Sequence, residues 1–186
     1  MNISPLAHQI YKLAKKVSVD MPFHATGIEK QLQEAISYEF RKLKNPIEAV
    51  REFYGEIYYK DYPIKDYRPD FLIFPNKEWS IDTTIIVETK FGTLKELATG
   101  REELFRYLYS AQQSSLNDIR NSNIGILIWW ESIKTDTPAG NSQSDKDILL
   151  DLDTAEYVPP EHRIVLEVWK VQSKDRKKFK KIISLV

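Results

Sequence analysis

Residues 69–90 read PDFLIFPNKEWSIDTTIIVETK, and this stretch decides the fold. Pro69-Asp70 opens the apolar run Phe71-Leu72-Ile73-Phe74, and Ile85-Ile86-Val87 closes on Glu88-Thr89-Lys90. Runs of this length, rich in β-branched and aromatic residues, predict strands. Pro75-Asn76-Lys77 starts the turn that separates them. The run from Thr83 to Lys90 is nearly continuous in apolar and β-branched residues, as a central strand covered on both faces should be.

Carboxylates and an amine inside such runs are costly to bury unless something compensates them. Residues two apart on a strand share a face, so Glu88 and Lys90 project together and Thr89 points away. Asp70, on the neighbouring strand, is expected to reach the same face. Two carboxylates that close repel unless a cation lies between them. A hard cation such as Mg²⁺ (or Mn²⁺) takes oxygen ligands and keeps several waters. A metal-bound water can attack a phosphodiester while the metal neutralises charge on the phosphate. Lys90 would orient that water, help deprotonate it, or stabilise the developing charge. The expectation is a metal-dependent phosphodiesterase site.

Outward from this stretch, the chain alternates helices and strands. Leu6, Ile10, Leu13 and Val17 repeat at helical spacing, which predicts a helix over 5–17. Thr26, with Glu29 three residues on, forms a capping-box pattern ahead of a second helix over 27–43. A short helical piece is expected from Pro46 to Phe53. Strand character follows at Glu56–Tyr59, with Asp61-Tyr62-Pro63 as a turn and Asp66 to Phe74 as one strand. Gly92 breaks the central strand, and residues 94–118 predict a long helix. Ile124 to Trp130 and Ile164 to Val171 are further strands, and residues 134–147 are a polar loop without periodicity. The order describes one α/β domain over 1–186: a mixed central sheet flanked by helices.

Composition narrows the class. With 186 residues, 42% hydrophobic and 29% charged, the chain has the make-up of a globular domain with a sizeable core. It has no cysteine, which excludes disulfides and thiolate metal sites. No apolar run approaches the roughly 18 residues of a membrane span. Lys12, Lys15 and Lys16 interrupt the N-terminus where a signal peptide would be apolar, so the expectation is a cytoplasmic protein with no membrane partner. The net charge of zero hides an asymmetry. Lys174 to Lys181 holds six of the 27 basic residues and one of the 27 acidic ones, which leaves 21 minus 26, or −5, for the remainder. A carboxylate-rich body with a basic segment at Lys174, Arg176, Lys177 and Lys178 suits a metal site and a strip that contacts phosphates.

The pattern resembles the PD-(D/E)XK nuclease superfamily, with similarity to its GxxExxY-type branch. Tyr58 to Ile73 looks like the strand pair that precedes the metal site there, and Ile85 to Lys90 like the metal-binding strand. Gly27 to Ile36 is similar to the opening helix that carries a glutamate facing the metal; Glu29 is the first candidate for it and Glu34 the second. Glu103 to Leu108 and Ile124 to Trp130 continue the order, so the resemblance spans about 27–130. It departs at Glu103, where many members carry glutamine four residues before the helix tyrosine, and at Leu32, where the branch has an aromatic.

This resemblance implies a restriction-endonuclease-like fold and hydrolysis of DNA. Asp70, Glu88 and the Thr89 carbonyl would hold the metal, Lys90 would assist the attacking water, and Glu29 would reach the metal through water or orient Lys90. Arg106 and Tyr107 would contact the phosphate backbone. It also implies a homodimer or a partner subunit, since cutting both strands takes two sites. Two other readings stand beside it: an inactive module of the same fold that binds nucleic acid or a protein, and a structural cluster of paired charges. Glu29 also fits the capping box, Tyr107 the core, and of Trp129 and Trp130 alternation predicts one in the core and the other at the sheet's end.

Overall fold

The computed structural model describes residues 2–21, 28–59, 62–132, 163–172 and 178–186. Two helices come first, α1 (Ser4–Asp20) and α2 (Ile28–Lys42). Strands β1 (Ala49–Arg51), β2 (Gly55–Tyr59), β3 (Tyr62–Tyr67), β4 (Phe71–Ile73) and β5 (Ile85–Gly92) follow. Helix α3 (Leu94–Ala111) and the single turn α4 (Asn117–Arg120) lead to β6 (Ile124–Glu131), β7 (Ile164–Val171) and β8 (Phe179–Leu185). Six strands form one mixed sheet in the order β1-β4-β5-β6-β7-β8, and β2 pairs with β3 as a separate hairpin. Only β5 and β6 run parallel, joined through α3; the other neighbours are antiparallel.

Helices cover both faces, so the central strands are apolar on both sides, as their sequence predicts. On one face Leu6, Ile10 and Leu13 of α1 and Leu32, Ile36 and Phe40 of α2 pack on Ile85, Val87, Ile126, Ile128 and Trp130. On the other, Leu97, Leu104 and Leu108 of α3 pack on Ile86, Leu127 and Trp129. Both tryptophans are fully buried, on opposite faces; Trp130, in the last β6–β7 pair, lies at the end of the ladder yet also belongs to the core. Trp130 donates its indole N–H to the Ala14 carbonyl at 3.2 Å and ties α1 to the sheet.

Glycine allows α3 to approach closely. A Cβ on Gly100 would lie 2.8 Å from both Leu127 Cδ1 and Lys90 Cγ, and one on Gly125 would lie 2.7 Å from Leu104 Cδ1. Gly92 ends β5 at φ +150°, a conformation that L side chains rarely adopt. Thr93 then caps α3 in a reciprocal box with Glu96.

Five sequence expectations are corrected. The segment expected as a short helix at 46–53 is β1, antiparallel to β4. A helix that short has few internal hydrogen bonds, whereas pairing gives Ala49–Arg51 a ladder and buries Ile47. The strand expected from Asp66 to Phe74 is divided before Phe71: β3 pairs back onto β2, and β4 joins the main sheet. Buried Pro69, with no N–H to give a ladder, lies at that division. Tyr62 and Pro63, expected in a turn, belong to β3; Asp61 lies outside the described residues. The helix expected to Asp118 ends at Ala111, where the Ser114 hydroxyl takes the Leu116 N–H and the Ser114 carbonyl takes Arg120 Nε. Finally, part of the basic segment is not a tail. Phe179–Lys181 opens β8, and Ile183 and Leu185 pack against the core. Thr26 of the capping box and the 134–147 loop lie outside the described residues. No helix among those described is long and apolar enough to cross a membrane.

Candidate functional site

Strand β4 ends before β5 does. The last ladder pair is Phe71 with Val87, so β5 beyond Val87 presents an edge without a partner strand. Side-chain carboxylates take its N–H groups. Asp70 Oδ2 accepts from Thr89 N at 2.7 Å and from Thr89 Oγ1 at 2.5 Å. Glu29 Oε2 accepts from Phe91 N at 3.0 Å. Gln33 Nε2, buried on α2, donates to Thr89 Oγ1 at 3.0 Å and orients that hydroxyl toward Asp70. The N–H and C=O of a strand residue point to the same edge, so the Thr89 carbonyl shares this open edge with the Asp70 carboxylate.

Glu88 and Lys90 lie on the α3 face, as the alternation requires. Lys90 Nζ is 2.8 Å from Glu88 Oε1, 3.0 Å from Glu103 Oε2 and 3.5 Å from Glu29 Oε1. Four elements therefore converge: α2 brings Glu29, the start of β4 brings Asp70, β5 brings Glu88 and Lys90, and α3 brings Glu103. The site carries four carboxylates against one amine.

Burial and charge set the protonation states. Glu88 is 2% exposed, and its Oε2 has no hydrogen-bond partner. Burial pushes its carboxyl well above the usual range; the Asp70 charge and neighbouring Glu103 add to this, and Lys90 opposes it. Burial also raises the Asp70 carboxyl, against the hydrogen bonds from Thr89. For Lys90, burial disfavours the charged amine, but Glu88, Glu103 and Glu29 outweigh it and hold the amine protonated above its ordinary range. Glu103 is likewise desolvated, yet the Lys90 hydrogen bond and charge lower its carboxyl. Burial and the Glu88 and Glu103 charges raise the half-buried Tyr107 phenol.

The structure thus brings together Asp70, Glu88, Lys90, Glu29 and the Thr89 backbone, and sets Tyr107 beside them. It leaves Glu34 out: that side chain is 57% exposed and 3.8 Å from Arg51. Arg106 is exposed and lines a shallow groove with Phe105, Tyr109 and Phe179. Lys178 precedes β8 and is exposed; Lys174, Arg176 and Lys177 lie outside the described residues. Sequence reasoning gave no role to Gln33 and treated Glu103 only as a departure from a pattern. Spacing offered a signal for Glu103, two turns ahead of Ala111 on the helix stripe that faces β5; nothing local marked Gln33.

Among the described residues, no three histidine, cysteine, aspartate or glutamate side chains form a ready-made cation cage. The oxygen donors available to a hard cation here are two carboxylates and a carbonyl at the open edge. Asp70 is anchored through one oxygen, which leaves the other as a ligand atom, and Glu88 Oε2 accepts no hydrogen bond, with the Glu103 carboxyl against Glu88. No family model, no curated protein and no solved structure matches the chain.

Proposed function

We propose that this protein is a metal-dependent nuclease with a restriction-endonuclease-like core that hydrolyses DNA phosphodiester bonds. The observation that carries the reading is the buried Glu88 carboxyl: its Oε2 accepts no hydrogen bond, its Oε1 is 2.8 Å from Lys90 Nζ, and the Asp70 and Glu103 carboxyls are its acidic neighbours. A buried charge costs several kcal/mol unless compensated, and such an arrangement suits a ligand that is itself a cation. Mg²⁺ is commonly held by one or two carboxylates with water completing its shell, which fits Asp70, Glu88 and the Thr89 carbonyl. Bound there, Mg²⁺ or Mn²⁺ would supply Lewis acidity and lower the pKa of a water.

The chain's own groups divide the remaining work. Thr89, held by Gln33, fixes Asp70 at the strand edge. Glu103 and Glu29 hold Lys90 Nζ beside Glu88. Lys90, kept protonated, orients the attacking water and stabilises charge on the phosphate. Tyr107, kept neutral by burial and the nearby carboxylates, offers a hydroxyl donor near the substrate. A cytoplasmic location and a homodimer go with this reading, because one such site cuts one strand.

The test is cleavage of supercoiled plasmid and of labelled single-stranded, duplex and branched DNA, with Mg²⁺, Mn²⁺ or EDTA. We expect metal-dependent cutting that Lys90→Ala lowers by at least about a hundredfold, the lower end for loss of a donor that stabilises developing charge. Metal-independent binding without cutting would instead identify an inactive binding module. Neither binding nor cutting would leave Asp70, Glu88 and Lys90 as a structural charge cluster.

A further inference from the structure

A cavity lies at the other end of the sheet from Glu88 and Lys90. It encloses about 720 Å³ beneath the C-terminal end of α3, where β6 begins and β7 ends. Among the described residues, Arg120, Lys170 and Lys180 line it with Gln112, Asn121, Asn123 and Gln172, and no carboxylate does. Lys170 and Lys180 are direct cross-strand partners of β7 and β8. Like charges directly opposite one another on a sheet destabilise it. Among the described residues neither lysine has a carboxylate partner, and Arg120 gives only its Nε, to the Ser114 carbonyl at 2.7 Å. The Arg120 fork is therefore open to a further acceptor.

Ser122, beside this cavity, is fully buried, and its hydroxyl has no hydrogen-bond partner among the described residues; it lies beneath the cavity surface and does not open into it. A buried hydroxyl without a partner is uncommon and costs free energy. Three cations without a carboxylate partner among the described residues, beside the amide side chains of Asn121, Asn123 and Gln172, have one complementary chemistry: an anion with several acceptor oxygens. The contrast with Glu167 is instructive. There the buried carboxylate takes Arg101 (2.8 and 2.7 Å), Lys181 (3.0 Å) and the Trp169 indole (3.0 Å), so the neighbouring cations of α3 and β8 are already satisfied. Among the described residues, no such carboxylate reaches Arg120, Lys170 or Lys180.

We propose that this cavity binds the phosphodiester backbone of a nucleic acid, as an anchor separate from the site of cutting. The register places it five residues down β6, since Lys90 pairs with Trp129 and Lys170 with Ile124. At about 3.3 Å per residue that is roughly 16 Å along the strand, or roughly five base pairs of duplex at 3.4 Å each. The offset is odd, so Lys170 lies on the face of the sheet opposite Lys90, and only a polymer that passes round the end of the sheet meets both. The identity of the polymer rests on the nuclease reading above; the cationic cavity does not.

The experiment measures binding of a short labelled DNA duplex by anisotropy, in EDTA, across a salt series. It compares the wild type with Arg120→Ala/Lys170→Ala/Lys180→Ala, with Lys170→Gln/Lys180→Gln and with the charge-conserving Lys170→Arg/Lys180→Arg. All three positions are exposed, and circular dichroism checks that each variant is folded. The slope of log affinity against log salt should become shallower by roughly 2 to 3 in the triple variant and by roughly 2 in the double glutamine variant. The arginine variant should keep the wild-type slope. An unchanged slope in the triple variant overturns the proposal. So does thermal protection of the wild type alone by inorganic phosphate with no change in the DNA slope, because the cavity would then take a small anion. Cleavage assays on the same proteins keep the two ideas apart: cutting that needs Lys90 but not these cations leaves the nuclease reading and removes the anchor, and a slope change without any cutting does the reverse.

Discussion

Glu88 shows how one residue can be unfavourable for the fold and useful to the site. Its carboxyl is raised well above the usual range, chiefly by burial, so ionising it disfavours the folded state. The sign follows from linkage. Below the unfolded value, near 4.3 for glutamate, both states hold the proton and nothing is lost. As pH climbs from there toward the raised folded value, the folded protein loses stability. Glu88→Gln should therefore leave the metal-free protein at least as stable as the wild type at neutral pH, whereas an average substitution costs about 1 kcal/mol. The difference should shrink in urea titrations carried out near pH 4, and a variant equally destabilised at both pH values would contradict it. The same titration predicts that Mg²⁺ affinity, read by calorimetry, strengthens as pH rises through the Glu88 carboxyl and disappears in Glu88→Gln, because a metal must displace that proton.

At the scale of elements, α3 is held at both sides of the sheet. Gly100 lets it touch Leu127 and the Lys90 stem; Glu103 reaches Lys90, and Arg101 reaches Glu167. Glu88, Leu127 and Glu167 lie in one cross-strand row, so the helix spans from one buried carboxylate to the other. Gly100→Ala should cost about 1–3 kcal/mol, the usual range for an overpacked core. It should lower cleavage beyond what lost folding accounts for, because the added methyl pushes on the Lys90 stem; equal loss of stability and activity would refute this. Glu167→Ala should be destabilising by about 2–4 kcal/mol in chemical denaturation, at the lower part of the range for a broken buried pair because Arg101 and Lys181 are partly exposed. The sequence could not show this clamp. Arg101 and Glu167 are 66 residues apart, and nothing near either of them marks a partner.

Across the whole molecule, the charges separate into a carboxylate site at one end of β5 and β6 and a cationic cavity at the other, which the net charge of zero conceals. Because the metal-site residues come from α2, β4, β5 and α3, a bound cation would stabilise the fold as a unit. Saturating Mg²⁺, at a hundred times its dissociation constant, should add about 2.7 kcal/mol to unfolding, measured as a rise in melting temperature that Asp70→Asn removes. Much of this was legible in the chain. Period-2 and period-3.6 patterns fix the central strands and the long helices, since each must bury one or both faces. The PDFLIF and IIVETK runs place Asp70, Glu88 and Lys90 because alternation along a strand is local geometry. What depends on contacts between distant segments was not legible: Ala49–Arg51 becoming an edge strand rather than a helix, Phe179–Leu185 closing the sheet instead of trailing as a basic tail, Gln33 and Glu103 completing the site, and two lysines meeting across β7 and β8. Local periodicity decides what an element is, because it is set by backbone geometry within a few residues. Strand pairing and helix packing decide which side chains meet, because those partners are fixed only when the whole core closes.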